Sequence, residues 1–498
     1  MTSSAAGRSV SVLARRHGWF PHSWFPHSWF LGVLGLGAAL RIVTMLGYRP
    51  ALWFPDSYTY VVTAMRPRPD LVRPAGYSMF LRLFEPFHSF ALVTFVQHLL
   101  GLLAGAMIYV TVLRWCGRSR RSVLVAAAAT VPVLLDAYQI EMEHLLVSDS
   151  LFTFLVVAAA CLALRRPPST HRPSTPAAVA LGLILAAATL TRTIGLPLIA
   201  VFAFFLVWYG FSRARVVRRD VPRRVGAFAL AALLPLAAYA GWFYAAHHRV
   251  GLVGSNGVFL YGRTMTFADC SVMRPPADVA VLCDSRPPAE RPTSQDYIWS
   301  DDSPLVRLPG ITFIEETDAL AGRFAWLAIR SQPLDYSAGV LTELGRTFTW
   351  RRHVYPDAET YGYYEFPAST PAPPDRHPAI VGKEFAERYE RGSVAVRIAE
   401  PYAGWMRAYQ RVASLPGALL LVVLVIPLLR LVRPARRGAA RGSGVPWGLP
   451  WATAWVLLVV PAATAQFDYR YVLPATPLAC LAAALAMSPD DRRDQRIR

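Results

Sequence analysis

The chain has 498 residues, 54% of them hydrophobic, and a mean hydropathy of +0.32. That is too apolar for an ordinary soluble domain and fits a chain with several membrane spans. The formal net charge is +19, but the basic residues lie in short blocks between apolar runs, an arrangement that argues against a nucleic-acid surface.

A spanning helix needs roughly 20 mainly apolar residues. By that rule ten runs qualify, at about 29–48, 90–113, 122–139, 147–164, 176–191, 194–211, 225–246, 414–432, 447–464 and 470–487. The fold class expected is an all-α polytopic membrane protein. No small-residue cleavage site follows the first run, so it is read as a retained span. The blocks at Arg114–Arg121, Arg165–Arg172, "SRARVVRRDVPRR" and "RLVRPARRGAAR" fall on alternate connections, as do the tails with Arg8, Arg15, Arg16 and "DDRRDQRIR". The other short connections carry few arginines, Arg192 and Arg470 among them. The positive-inside rule then puts both termini in the cytoplasm. The expected organisation is a tail at 1–28, a membrane module at 29–246 with a first outer loop at 49–89, an extracytoplasmic segment at 247–413, spans at 414–487 and a tail at 488–498.

The 247–413 segment is long enough for a small folded domain. Two helices are predicted in it, over 311–332 and 333–350. Ile314, Leu320, Phe324, Leu327 and Ile329 give the first an apolar stripe. Cys270 and Cys283 share this polar segment, and a disulfide between them, on an oxidising side, would contribute about 3 kcal/mol. No CxxC or Cys/His array offers a zinc site. The N-terminal "WFPHSWFPHSWF" reads as a tandem duplication at the membrane interface, with a His-based metal site as the sharper alternative. His247 and His248 read as a solvated pair.

Three groups carry candidate chemistry. In "ALWFPDSYTYV", Asp56 stands among aromatics just after the first span. A hydrated loop acid is one reading. The other is a general base made more basic by burial under the amphipathic "VRPAGYSMFLRLFEPF", whose Tyr77, Phe80, Leu81 and Phe84 share a face. In "QIEMEHLLVSDSLFTFL", Asp149 and Ser148 sit where a helix starts, and Glu143 and His144 are open to orienting an acceptor hydroxyl, binding a metal or facing water. In "FDYRYVLPATPL", Arg470 is either a surface partner of Asp468 or a phosphate ligand, since guanidinium forks match phosphate oxygens. Arg66, Arg68 and Arg73 add positive charge beside Asp56.

These stretches resemble the membrane-embedded glycosyltransferase C superfamily, in particular bacterial relatives of protein O-mannosyltransferases and aminoarabinose transferases. "FPDSYTY" matches the acid that opens the first outer loop. "RPAGYSMFL" is similar to the Arg-Pro-Pro-Gly-Tyr-Pro pattern, with Ala75 and Ser78 departing from it. "LLVSDSLFTFLVVAA" is similar to the acid-led fourth helix, and "YRYVLPATP" to the Arg-Tyr close near the last spans. The likeness covers most of 29–211 and the last span, and not 247–413. It implies transfer of a sugar from a polyprenyl-phosphate donor to an extracytoplasmic acceptor (glycan, lipid or protein) with inversion. Asp56 and Asp149 would be the catalytic acids, with Arg73, Tyr77, Glu143, His144, Arg470 and Tyr471 toward substrate. Asp70 and Glu85 are further acids of the first loop. A divalent metal cofactor stays open. The rival classes are a transporter or flippase, and a non-catalytic envelope scaffold.

Overall fold

The computed structural model describes residues 27–165, 174–211, 220–371, 373, 377–432 and 447–487. The two tails, most of the WFPHS repeat and much of the basic blocks lie outside the described residues.

The apolar runs fold as helices. The membrane portion comprises α1 (Ser28–Gly47), α2 (Pro55–Met65) and α3 (Gly76–Phe84) in the first loop, then α4 (Phe90–Cys116), α5 (Arg120–Leu135), α6 (Ala137–His144), α7 (Asp149–Ala163), α8 (Thr175–Thr191), α9 (Gly195–Phe211) and α10 (Val221–His247). The inserted segment contributes α11 (Asn256–Thr264), α12 (Glu315–Ser331), α13 (Pro333–Arg346), α14 (His377–Glu390) and α15 (Tyr402–Gln410). The chain closes with α16 (Gly417–Val432), α17 (Gly448–Thr464) and α18 (Ala475–Ala486), the last preceded by a short helical turn at Tyr469–Val472. Among the described residues four helices are long and apolar enough to cross a membrane: Ser28–Gly47, Phe90–Cys116, Val221–His247 and the continuous stretch Tyr469–Ala486. Large apolar side chains on them are exposed, among them Ile42, Leu103, Leu230 and Leu234, as lipid-facing residues are.

Local chemistry sets the ends. The Ser89 hydroxyl accepts from Leu92 N–H at 3.2 Å and starts α4, and Gly117, at φ +79°, ends it. The third apolar run, expected as one helix over 122–139, is broken instead. α5 and α6 meet at 50°, because Asp136 turns its carboxylate back to cap Tyr138 N–H (2.9 Å) and Gln139 N–H (3.2 Å) while its other oxygen takes Leu415 N–H at 2.7 Å. α18 is buried at every residue. Its alanines leave room for α4, α5, α16 and α17 to approach closely.

At one end of the bundle a second layer forms. α2 lies under α14, where a Cβ on Gly382 would collide with Tyr58. α3 packs on α8, where a Cβ on Gly76 would collide with the Leu190 carbonyl. Tyr48–Arg49 and Arg397–Ile398 form a two-stranded antiparallel pair, Tyr48 opposite Ile398, which ties the end of α1 to the inserted segment. That segment has its own core around Tyr261, Leu282, Tyr297 and Phe324, and Cys270 and Cys283 are disulfide-linked. The buried face of α12 is Thr317, Ala321, Phe324, Ala325 and Ala328, offset from the stripe expected from the sequence. The reason is close approach: a Cβ on Gly257 of α11 would strike the Asp318 carbonyl, so small residues must face it.

Candidate active site

A cavity of about 720 Å³ opens where the first loop, the α8–α9 turn, the inserted segment and the α17–α18 connection converge. Its polar end is built from residues far apart in sequence. Asp56 stands in the first turn of α2, which Pro55 opens with a backbone angle already helical. The Ser57 hydroxyl fastens the turn by accepting from Phe54 N–H at 2.9 Å. The Asp56 carboxylate is 8% exposed and takes one guanidinium on each oxygen. Arg73 Nη2 lies 2.5 Å from Oδ1, and Arg470 Nη1 lies 3.0 Å from Oδ2. Asp70 positions the first of these: its Oδ1 accepts from the Val72 and Arg73 N–H groups, both at 2.9 Å. Asp468 positions the second through Arg470 Nε at 3.1 Å.

The ring of Tyr471 lies between Arg470 and Arg192, whose guanidinium carbons are 5.3 Å and 4.9 Å from its centroid. Arg192 comes from the tight turn after α8 and is ion-paired with Asp149. Asp149 starts α7, is 1% exposed, and stands behind Arg192 rather than on the cavity surface. Ser148 does face the cavity and hydrogen-bonds the Tyr60 hydroxyl at 3.1 Å. The polar end therefore presents Asp56 with three arginines, Arg73, Arg192 and Arg470.

Burial would raise the Asp56 pKa, as the sequence reading expected, but Arg73 and Arg470 outweigh it and hold the carboxyl well below the usual carboxylate range. The expectation of a base strengthened by burial is thus corrected for this state: Asp56 is an ionised, doubly clamped carboxylate. In turn, Asp56 and Asp70 hold Arg73 charged against its burial.

Other candidates lie elsewhere. Glu143 and His144 do not line the cavity. Glu143 is fully buried and takes Arg41 Nε at 2.7 Å and Nη2 at 2.8 Å. It also takes Gln139 Nε2 at 3.1 Å and contacts His98 Nδ1 at 3.0 Å. His144 Nδ1 lies 3.1 Å from His98 Nε2, and His144 Nε2 donates to the Tyr48 carbonyl at 2.6 Å. Tyr77 is fully buried with its hydroxyl on Gln97 Oε1 at 2.7 Å. The polar atoms of all three are hydrogen-bonded inside the protein, and none of the three lines the cavity. Glu85 pairs loosely with Arg82 at 3.6 Å on the surface. His247 donates to the Pro69 carbonyl at 2.6 Å. Among the described residues no three His, Cys, Asp or Glu side chains gather as a metal site.

Arg192 and Gln466 line the cavity without a role assigned by the sequence motifs. Arg192 carried a signal, as an arginine on an otherwise weakly charged short connection. Gln466 carried none. The cavity's flank is apolar and runs between α9 and α17, along Leu196, Pro197, Leu457 and Val460, and its lining also includes Phe259 and Trp299 of the inserted segment.

No protein-family model matches the chain, and no curated protein matches it. Among solved structures it is similar to the Saccharomyces cerevisiae protein O-mannosyltransferase Pmt1–Pmt2 complex bound to its sugar donor (15% identity, 49% of this chain, 36% of that chain, TM-score 0.34). It is also similar to the Archaeoglobus fulgidus oligosaccharyltransferase in the apo form (14% identity, 93% of this chain, 51% of that chain, TM-score 0.44). A third is ArnT from Cupriavidus metallidurans bound to undecaprenyl phosphate (14% identity, 92% of this chain, 77% of that chain, TM-score 0.33). The match spans about a third of the yeast chain and half of the archaeal one.

Proposed function

We propose that the protein is an integral membrane glycosyltransferase that moves a sugar from a polyprenyl-phosphate donor to an extracytoplasmic acceptor with inversion. One observation carries the reading: Asp56, Arg73, Arg192 and Arg470 converge on a cavity of about 720 Å³ whose flank is apolar. That size suits a ligand rather than a solvent gap. The arginine end suits a phosphate, and the flank between α9 and α17 suits the first isoprene units of a lipid chain.

In this reading the donor phosphate lies against Arg470 and Arg192. The acceptor oxygen attacks the anomeric carbon from the face opposite the phosphate and gives its proton to Asp56. The bond from that carbon to the phosphate oxygen breaks, and the polyprenyl phosphate leaves with the electron pair, its charge met by the arginines. The clamp on Asp56 acquires a purpose. A phosphate that competes for Arg470 loosens one of the carboxylate's two ion pairs, so Asp56 gains basicity once the donor is in place. Asp149 acts by holding Arg192. The four long apolar helices, the bent α5–α6 pair and the five shorter apolar helices together support ten crossings. The arginine blocks of the sequence put both termini in the cytoplasm and the cavity on the outer face.

The test uses membranes from cells expressing the wild type or Asp56→Asn at equal levels, supplied with labelled polyprenyl-phosphate sugars. Transfer of label by the wild type and its loss in the variant is the expected result. Equal transfer by both would remove Asp56 from the chemistry, and no transfer from any donor would overturn the donor class.

A further inference from the structure

The segment 462–468, the last turn of α17 and the connection that follows it, is fixed by its main chain to the inserted segment. Arg263, only 1% exposed, donates from Nε to the Ala462 carbonyl at 2.8 Å. The Tyr336 hydroxyl donates to the Ala463 carbonyl at 3.0 Å. Phe467 N–H donates to the Glu343 carboxylate at 2.8 Å. Asp468 caps the following turn through Arg470 N–H at 3.2 Å. In the middle of this anchored segment lies Gln466. It lines the cavity and is 5% exposed, and neither its Nε2 nor its Oε1 has a hydrogen-bond partner in the protein.

A primary amide offers two donors and an acceptor, and keeping it from water without partners is unfavourable. A rigid segment that holds such a group against a cavity is built for a ligand that satisfies it. The prenyl chain cannot, because it has no polar atoms. A phosphate satisfies only the donor half, since its oxygens are already charged acceptors at neutral pH. A hydroxyl satisfies both halves, giving its proton to Oε1 and accepting from Nε2. Gln466 lines the same cavity as Arg470, so a sugar bonded directly to a phosphate at Arg470 would share that cavity with it. Phe259 and Trp299 line this cavity too, edge to face at 6.5 Å, and offer apolar surface to the C–H face of a sugar ring.

Resting on the donor reading above, we propose that Gln466 is the residue that recognises the transferred sugar, by hydrogen-bonding its hydroxyl groups, and that this sugar is neutral and hydroxyl-bearing. The experiment uses the full-length protein in lipid nanodiscs. Undecaprenyl phosphate, and undecaprenyl phosphate carrying each of a panel of neutral hexoses and pentoses, compete with a fluorescent polyprenyl phosphate. The wild type should bind at least one of the sugar-carrying lipids about tenfold more tightly than the bare lipid phosphate, the range of one or two good hydrogen bonds. Gln466→Met, of similar length but without hydrogen bonds, should lose that margin and keep the affinity for undecaprenyl phosphate. Its melting temperature without ligand should equal or exceed that of the wild type, since the amide has nothing to lose in the empty cavity. A margin that survives the substitution overturns the assignment, as does a wild type that shows no margin for any sugar. A lower melting temperature in Gln466→Met would give the amide a structural role instead. If the wild type fails to bind bare undecaprenyl phosphate, the donor reading itself fails and this assignment falls with it.

Discussion

Two of the carboxylate–arginine assemblies in this protein, those of Glu143 and Asp56, do opposite work. Glu143 is closed in. Arg41 grips it with Nε and Nη2, and the Arg41 Nη1 is spent on the Gly37 and Leu134 carbonyls at 3.0 Å and 2.8 Å. His98 and Gln139 take what remains of the carboxylate. This network locks α1, α4, α5 and α6 together, and every charge is answered by the fold itself. Asp56 is gripped just as firmly, but by Arg73 and Arg470, which face a cavity. An entering anion can compete for those guanidiniums. A sealed ion pair fixes helices, and an open one holds charge ready for exchange with a ligand.

The largest expected effect separates the two on activity. Asp56→Asn should lower sugar transfer by about 10²–10⁴-fold, the contribution of a positioned base, and should cost less stability than loss of Glu143, because Arg73 keeps Asp70 and Arg470 keeps Asp468 as counter-charges. Glu143→Ala should do the reverse. It strands the Arg41 guanidinium, 2% exposed, without a counter-charge, at a cost of about 3–5 kcal/mol. The checks are transfer per folded molecule and thermal melting in the same detergent. If Glu143→Ala melts normally and loses only transfer, the comparison is broken and Glu143 belongs with the chemistry.

The sequence made one assembly legible and hid the other. Asp56 and Arg470 drew attention because each is a charge at the lip of an apolar run. That a single carboxylate gathers guanidiniums 17 and 414 residues away is a fact of tertiary structure, and it reverses the direction in which burial alone moves that carboxyl. Glu143 reads from the sequence as open to substrate because its partner, Arg41, lies on a different span. Arg41 stands inside the first apolar run, where a charge requires a partner, and an acid at matching depth on another span was the signal. Gln466 is invisible by the same logic, since an uncharged amide at the end of an apolar run breaks no pattern. For the fold, run length revealed the apolar helices. The break at Asp136 is hidden, because hydropathy continues across a cap. So is the buried face of α12, because its small residues Ala321, Ala325 and Ala328 do not stand out from a hydrophobic stripe.

A milder substitution sharpens the contrast without removing a charge. Gly101 of α4 faces the Glu143 carboxylate so closely that an added Cβ would overlap it. Gly101→Ala should therefore destabilise by about 1–3 kcal/mol, as overpacking does, and leave transfer per folded molecule near the wild-type value. Loss of transfer with an unchanged melt would show that the closed network communicates with the cavity.

The smallest effect is the most specific. Arg73→Gln removes one of the two clamps on Asp56 and leaves Arg470 in place. A carboxyl held low by ion pairs contributes stability that is present above its unfolded value, about 3.9. That contribution is lost as pH falls through its lower folded value. With Arg73 gone, the folded value rises toward the ordinary one. The acid limb of the transfer rate should then move to higher pH, by about one pH unit for the loss of one close opposite charge. The acid side of the melting curve should retreat in the same direction. Arg41 substitutions should leave the acid limb where it is, because Arg41 touches only the sealed carboxylate. An acid limb that ignores Arg73 while transfer still requires Asp56 would mean that the proton is accepted after the clamp has already opened. The donor phosphate would then set the basicity of Asp56 in the reacting complex, and Arg73 would set it only in the empty site.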